Sequence, residues 1–263
     1  MKKSASSINS WKDFKKSVRS KGCSLLKKLD SFPNSILVTG CQRSGTTILS
    51  RILSQSDGMV DFSSGEDDEL DAALILAGYV EHTPRGRYCF QTTYLNECYR
   101  EYFLHRNGAK IIWVLRNPYS VVYSMLHNWR SFALNELFLN CGLEFLTEKE
   151  RKRMKIFGKY GVTKLRKACC AYVGKTRQVF ALKARLSADA IMFVEYDNLI
   201  KNRETILPAI YDFIGLTYHP KYAERLHYRS LKKAIALSGR GRSEIDRFCD
   251  PVFRKAMTLV QKI

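Results

Sequence analysis

The segment 36–53 constrains the fold of this chain more than any other. A β-branched run at residues 36–39 leads into Gly40, a polar turn that ends in Gly45, and apolar residues at helical spacing over 48–53. This order predicts a strand, a tight loop and a helix. Such a loop turns backbone N–H groups and the positive end of the helix toward one point. We therefore expect a site for a phosphate-like anion.

The loop keeps the G-x-x-x-x-G spacing of a nucleotide triphosphatase but lacks its lysine. Thr46 stands at the lysine position, so a magnesium-bound triphosphate would lose a point charge there. Arg43 is the cation inside the loop, and its planar guanidinium suits the oxygens of a single phosphate or sulfate group. The hydroxyls of Ser44, Thr46 and Thr47 add hydrogen-bond donors without adding charge. The loop therefore favours one phosphate or sulfate group over a triphosphate.

The length and the charge of the chain restrict its class. With 263 residues it is long enough for one α/β domain with a substantial core. Lys and Arg number 44 against 25 Asp and Glu, which gives a formal net charge of +19. This surplus predicts a polyanionic partner, and a nucleotide, a nucleic acid, an acidic glycan and an anionic membrane surface all fit it.

The eight cysteines are dispersed along the chain. They form no C-x-x-C pair and no Cys/His cluster at zinc spacing, so we expect no metal site. Several lie inside apolar runs, which is typical of small buried side chains in a reducing compartment. No apolar run approaches the roughly 18 residues that span a bilayer, and the first residues lack the apolar core of a signal peptide. The sequence therefore predicts a cytoplasmic protein.

We interpret the chain as a lysine-rich N-terminal extension, residues 1–32, followed by a single domain, residues 33–263. Within the extension, Trp11, Phe14 and Val18 share one face of a predicted amphipathic helix. Three arrangements fit this pattern: a basic helix in peripheral contact with an anionic membrane, a helix packed on the domain, and a tail without fixed structure.

A second strand is predicted at residues 109–115, which are too apolar for a solvated face and therefore central and parallel. It ends at Arg116, and a helix begins near Tyr119. Ligands of open α/β sheets bind beyond the carboxyl ends of the strands. A magnesium-dependent enzyme would need an acidic ligand at this point, so an arginine indicates a second bound anion. Further strands are predicted at 88–90 and 190–194.

An acidic cluster at residues 65–69 follows the anion loop closely enough to overhang it. It is interpreted either as a solvated face or as the source of a catalytic carboxylate. The histidines at 82, 105 and 127 are the alternative bases.

Two further regions are candidates for ligand contact. Residues 131–160 mix aromatic and basic side chains, which fits a lid, an acceptor-binding region or an exposed helix. Residues 238–242 are predicted to form a flexible cationic loop, in which Arg240 and Arg242 either contact a nucleotide or belong to a solvated turn.

Two anion sites at the ends of neighbouring strands, one on Arg43 and one on Arg116, suit a nucleotide with phosphate groups at both ends of its ribose. On these motifs the chain resembles sulfotransferases that use 3′-phosphoadenosine 5′-phosphosulfate (PAPS), especially the branch of tyrosylprotein and carbohydrate sulfotransferases. R-S-G-T-T at 43–47 resembles the 5′-phosphosulfate loop of the family. R-N-P from Arg116, followed by Ser124, resembles its 3′-phosphate motif, and Tyr196 fits a later strand-end pattern.

The resemblance implies a P-loop-type parallel sheet flanked by helices, PAPS as sulfuryl donor with 3′-phosphoadenosine 5′-phosphate (PAP) as product, and no metal. The predicted cofactor-binding residues are Arg43, Ser44, Gly45, Thr46, Thr47, Arg116, Ser124, Tyr196, Arg240 and Arg242.

The same resemblance implies the catalytic residues. Glu66 would be the base, since Gly65-Glu66 resembles the Gly-Glu of tyrosylprotein relatives, and Asp67 is the alternative. Arg43 would also act on the group in transfer. The chain departs from many relatives at Gln91, where they carry the lysine that steadies the departing bridge oxygen. The amide of glutamine donates a hydrogen bond there but no charge.

The sequence therefore predicts in-line transfer of a sulfuryl group from PAPS to an acceptor hydroxyl, with a carboxylate as base. A carbohydrate or a glycolipid is the predicted acceptor, and contact of the extension with membrane would favour the glycolipid. One alternative is a metal-dependent P-loop kinase, which Thr46 and Arg116 oppose. Another is a non-enzymatic module that binds a polyanion through the basic run 151–155 and the N-terminal lysines. No nucleic-acid partner is expected.

Overall fold

The computed structural model describes residues 8–19, 22, 24–62, 67–105, 108–226 and 237–260. Within these ranges lies a four-stranded sheet whose neighbouring strands are all parallel. The strands are β1 (Ile36–Gly40), β2 (Cys89–Gln91), β3 (Lys110–Leu115) and β4 (Ile191–Glu195), in the spatial order β2-β1-β3-β4. The predicted parallel α/β sheet is confirmed, and each predicted strand lies within one or two residues of its observed bounds.

Helices flank the sheet and connect its strands. In chain order they are α1 (Trp11–Ser17), α2 (Thr46–Ser54), α3 (Asp68–Ala77), α4 (Pro118–His127), α5 (Ser131–Cys141), α6 (Glu148–Phe157), α7 (Lys164–Arg185), α8 (Tyr196–Lys201), α9 (Arg203–Ile214), α10 (Gly239–Phe248) and α11 (Asp250–Met257). No helix in the described part of the chain combines the length and the apolarity that crossing a bilayer requires.

Strand β3 is buried on both of its faces. Ile111 and Trp113 pack into one hydrophobic cluster, and Ile112 and Val114 pack into another on the opposite side of the sheet. Because successive side chains of a strand point to opposite faces, a central strand covered on both sides needs apolar residues throughout. The unbroken apolar run of the sequence follows from this position.

The carboxyl ends of β1 and β3 approach so closely that only glycine fits between them. Gly40 pairs in register with Val114. Its φ is +146°, and a Cβ at this position would lie 2.4 Å from the carbonyl oxygen of Val114. The loop after β1 and the turn after β3 are therefore direct neighbours at one edge of the sheet.

The N-terminal segment shares the hydrophobic core of the domain. Ser10 caps α1 by accepting a hydrogen bond from the backbone N–H of Asp13. Phe14 and Val18 are fully buried, in the same cluster as Trp113 of β3. Of the three arrangements considered for this segment, the structure shows the packed helix. The apolar face on which the membrane alternative relied is occupied, and peripheral membrane contact stays a prediction that needs other residues.

Candidate active site

The loop between β1 and α2 forms one wall of a cavity of about 360 Å³. Gly45 precedes α2 with a left-handed φ of 98°, and a Cβ there would lie 2.2 Å from the ring of Tyr196. The loop therefore needs glycine at this position. Thr46 and Thr47 follow in the first turn of α2, and both line the cavity. The positive end of the helix dipole lies at this wall.

Arg43 lies in this loop and lines the cavity. Its Nε donates a hydrogen bond of 3.0 Å to Oγ of Ser124 in α4. Partial burial, and then the positive charge of Arg116, lower the pKa of Arg43. The two guanidinium groups are therefore close enough to repel each other. The next residue, Ser44, is fully buried, and its Oγ has no hydrogen-bond partner among the described residues.

Arg116 follows β3 and is held by the first residues of α8. Its Nε donates to Oδ1 of Asp197 at 3.1 Å, and its guanidinium carbon lies 4.6 Å from the ring centre of Tyr196. The backbone carbonyl of Arg116 accepts a hydrogen bond of 2.8 Å from the hydroxyl of Tyr172 in α7. Although only 3% exposed, Arg116 lines the cavity together with Ser124 and Tyr196.

The structure brings most of the predicted cofactor-binding residues to one cavity. Those that line it are Arg43, Gly45, Thr46, Thr47, Arg116, Ser124 and Tyr196. Ser44 lies buried in the loop. Arg240 and Arg242 are exposed in the first turn of α10, not in a loop, because Ser238 caps this helix. Their contact with a nucleotide stays a prediction, and residues 227–236 before them lie outside the described ranges.

Of the two predicted catalytic carboxylates, only Asp67 belongs to the described residues, and it does not line the cavity. Glu66 lies outside the described residues. Asp67 is exposed and is the N-cap of α3. Its Oδ1 accepts from the N–H of Leu70 at 3.1 Å, and its Oδ2 accepts from Nε1 of Trp11 at 2.9 Å. Both oxygens of Asp67 thus take part in structural hydrogen bonds.

Glu69, in the first turn of α3, lines the cavity, unlike the other described acidic residues of this cluster, Asp67 and Asp68. Its carboxylate accepts hydrogen bonds from Nε2 of Gln91 at 2.9 Å, from the N–H of Tyr94 at 3.1 Å, and from Oγ1 of Thr93. Burial raises the pKa of Glu69 to about 7, although the hydrogen bond from Thr93 opposes the shift. Glu69 is thus a fixed carboxyl group that titrates near neutral pH.

Glu69 was not among the predicted catalytic residues, although the spacing of α3 carries a signal for it. Glu69 shares one helical face with Ala72, Ala73 and Leu76, at the spacing i, i+3, i+4 and i+7, and these three residues are buried. An acidic residue in line with an apolar face points toward the protein interior. The other acidic residues of the cluster lack this alignment.

Gln91, at the end of β2, links Glu69 to the anion loop. Its Nε2 also donates to Oγ1 of Thr46 at 3.3 Å. A buried lysine, Lys175 of α7, lies behind this wall and donates to the carbonyls of Thr93 and Leu95 at 3.0 Å each. Burial lowers the pKa of Lys175 to about 8. It supports the backbone that carries the partners of Glu69, and it does not line the cavity.

The histidines that were considered as alternative bases do not belong to the lining of the cavity. None of the histidines at 82, 105 and 127 lines the cavity. His82 interacts with the hydroxyl of Tyr88 at 3.1 Å, and His105 lies 3.1 Å from Asp30. The described residues contain no group of three or more His, Cys, Asp or Glu side chains placed to hold a metal ion.

The strand order arranges the site as a row along one edge of the sheet. Gln91, at the end of β2, holds Glu69; the loop after β1 carries Arg43; Arg116 follows β3; and Tyr196 follows β4. Two guanidinium groups, the hydroxyl of Ser124 and a helix N-terminus are donors suited to two separate anionic groups. This donor set fits a nucleotide phosphorylated at both ends of its ribose, with a carboxyl group beyond one end.

Comparison with known proteins agrees with this geometry. The sulfotransferase domain family model matches residues 33–237, whereas no curated protein matches the chain. The sulfotransferase from Alicyclobacillus acidocaldarius is 16% identical at a TM-score of 0.51, with 87% of this chain and 95% of that chain covered.

Two further solved structures share this fold at low identity. The sulfotransferase domain of the Synechococcus PCC 7002 olefin synthase is 14% identical, with a TM-score of 0.51 and coverage of 89% and 97%. Sulfotransferase STF9 from Mycobacterium avium is 12% identical, with a TM-score of 0.50 and coverage of 93% and 79%. The narrower resemblance to tyrosylprotein and carbohydrate sulfotransferases stays a prediction. Because the family model spans most of the chain, this protein belongs to the family of PAPS-dependent sulfotransferases.

Proposed function

We propose that this protein transfers a sulfuryl group from PAPS to an acceptor hydroxyl, and that Glu69 accepts the proton of that hydroxyl. One observation carries the proposal: Arg43, Arg116 and Glu69 line the same cavity. PAPS, when bound, supplies an activated sulfuryl group. The acceptor oxygen forms the new bond to sulfur, the bridging oxygen of the donor keeps the electron pair of the broken bond, and Glu69 takes the proton.

The arginines supply most of the nucleotide affinity in this proposal. Arg43 and the first N–H groups of α2 bind the 5′ side, and Arg116 with Ser124 binds the 3′-phosphate. A hydrogen bond between a charged donor and an anion contributes about 1.5 to 3 kcal/mol. A helix N-terminus contributes about 0.3 to 1 kcal/mol. Burial, and then the positive charge of Arg116, lower the pKa of Arg43, so an anionic group bound beside Arg43 would favour its charged form.

Glu69 is suited to the base by its position and its protonation. A general base works best when its pKa lies near the operating pH, and burial raises the pKa of Glu69 to about 7. Gln91 and Thr93 hold its carboxylate, so the group is oriented before an acceptor arrives. Proton transfer to a positioned base contributes about 10² to 10⁴ in rate.

The experiment is a thermal melt of the purified protein with PAP, with adenosine 5′-monophosphate (AMP) and with magnesium ATP. We expect PAP to raise the melting temperature most, since PAP carries both of the anionic groups that the two arginines bind in this proposal. A ligand at one hundred times its Kd adds about 2.7 kcal/mol to the free energy of unfolding. No shift with PAP would show that the donor assignment is wrong. A larger shift with magnesium ATP would favour the kinase alternative.

Substrate identity is the second part of the proposal. The sequence predicts a carbohydrate or glycolipid acceptor. Formation of the sulfated compound from PAPS and such an acceptor tests this prediction directly.

A further inference from the structure

Helix α1 lies outside the span matched by the family model, yet it forms part of the cavity wall. The match begins at residue 33, whereas Trp11, Phe14, Lys15 and Arg19 all line the cavity. These residues belong to the segment that the sequence assigned to an extension. A part of the substrate site is thus built by residues that precede the matched domain.

Trp11 lies beside the residues that hold Glu69. Its ring centre is 5.6 Å from that of Tyr94 and 5.4 Å from that of Phe14. The N–H of Tyr94 is one of the donors to Glu69. Nε1 of Trp11 is fixed by its hydrogen bond to Asp67 at the start of α3. The indole is therefore held against Tyr94, whose N–H donates to the proposed base, and it lines the same cavity as Glu69.

A second apolar wall comes from the segment at and before α5. Trp129, Phe132 and Leu137 line the same cavity as Trp11, and Phe132 is 38% exposed. Lys15 of α1 and Glu136 of α5 form an ion pair of 2.7 Å that joins the two walls. The cavity that Glu69 lines is thus bordered by aromatic and aliphatic side chains from α1 and from residues 129–137.

The two cationic side chains that α1 contributes to the cavity are each paired with a carboxylate. Lys15 is paired with Glu136, and Arg19 is paired with Glu97. Among the described residues, the two cations that α1 adds to the cavity are thus already paired and do not offset the desolvation of an anionic acceptor. The chain's net charge of +19 therefore does not favour an acidic glycan at this wall.

We infer that the acceptor carries its hydroxyl on an uncharged ring with an apolar face, and that Trp11 is the specificity-determining residue against which this ring packs. The inference rests on the proposed function. Phenols and pyranose sugars share this chemistry. A phenol presents the face of its aromatic ring to an aromatic side chain, and a pyranose presents a face made of C–H groups. The ring lies on Trp11 while its hydroxyl reaches Glu69.

The test measures binding of phenol and of methyl galactoside to the protein loaded with PAP, by ligand-observed NMR. We expect at least one probe to bind, and the probe that binds identifies the source of the ring. Trp11→Ala should weaken that probe by about two- to tenfold, the range that aromatic pair energies give. Trp11→Phe, which keeps an aromatic face, should restore most of the affinity.

Tyr160→Ala is the matched control, since Tyr160 is an exposed aromatic residue at 82% exposure that does not line the cavity. PAP affinity should be the same in all variants. Failure of both probes to bind the PAP-loaded protein, or equal affinity of wild type and Trp11→Ala for a probe that binds, would overturn the inference. Failure of PAP itself to bind would overturn the proposed function instead, so the two outcomes are distinct.

Discussion

Arg43 and Arg116 lie at the ends of neighbouring strands, and the positive charge of Arg116 lowers the pKa of Arg43. Like charges held near each other are unfavourable unless an anion lies between or beside them. Asp197 accepts a hydrogen bond from Arg116 and orients it, while Ser124 accepts one from Arg43. The pair is therefore arranged in advance for a ligand with two anionic groups.

Arg116→Ala should weaken PAP far more than AMP, because only PAP carries the 3′-phosphate that Arg116 binds in our proposal. A charge-assisted hydrogen bond of about 1.5 to 3 kcal/mol corresponds to a loss of about ten- to 150-fold in affinity. Isothermal calorimetry with both nucleotides gives the comparison. Arg153→Ala, at an exposed site in α6, is the control. Equal losses for PAP and AMP would refute the 3′-phosphate role.

Glu69→Gln should keep PAP binding and lower kcat by about 10² to 10⁴, the contribution of a general base. Since the unprotonated carboxylate is the active form, kcat/KM of the wild type should rise with pH through about 7, the raised pKa of Glu69. The variant should lose this rise. Glu148→Gln, which alters an exposed carboxylate of α6 that does not line the cavity, is the control. Full activity in Glu69→Gln would return the base assignment to Glu66 or Asp67.

Gly45→Ala should weaken PAP binding and destabilise the protein. The φ of 98° is strained for any side chain, at a cost of about 1 to 3 kcal/mol, and the new Cβ would displace the ring of Tyr196. Gly239→Ala is the control, since a Cβ there meets nothing within 4 Å. Urea denaturation and PAP titration of both variants provide the test. A Gly45→Ala protein as stable and as tightly bound to PAP as Gly239→Ala would contradict the loop geometry.

Phe14→Ala should lower the free energy of unfolding by about 3 to 5 kcal/mol, the usual cost of removing a buried phenylalanine. Phe14 is fully buried in the cluster that includes Trp113. Lys12→Ala, at an exposed position of the same helix, should change stability by less than about 0.5 kcal/mol. Urea denaturation of the two variants decides whether the segment is structural. Similar small effects would show that it is a dispensable extension.

The sheet and both arginines could be predicted because each has a local cause. β1 and β3 are apolar runs that end at a glycine and at an arginine, and the carboxyl ends of parallel strands meet at one edge. Glu69 could not be assigned in this way. Its environment comes from Gln91 and Thr93 on another strand end, and the spacing of residues in α3 does not identify those partners.

The N-terminal segment shows the same limit. The positions of Trp11, Phe14 and Val18 identify an apolar face, but amphipathicity alone does not say whether a lipid surface or a protein surface covers it. The answer depends on Tyr94 and Trp113, which lie far along the chain. For Arg240, a run of glycine and arginine predicted a loop, whereas the cap at Ser238 makes it the start of a helix.

The contact between Gly40 and Val114 has a consequence for the spacing of the two turns that carry Arg43 and Arg116. Any side chain at residue 40 would press on the Val114 carbonyl and force the two strands apart, which would carry the turns beyond them in opposite directions. The spacing between the loop after β1 and the turn after β3 is therefore set by main-chain packing beneath the site. The absence of a side chain at residue 40 therefore fixes how closely the Arg43 loop and the Arg116 turn lie side by side.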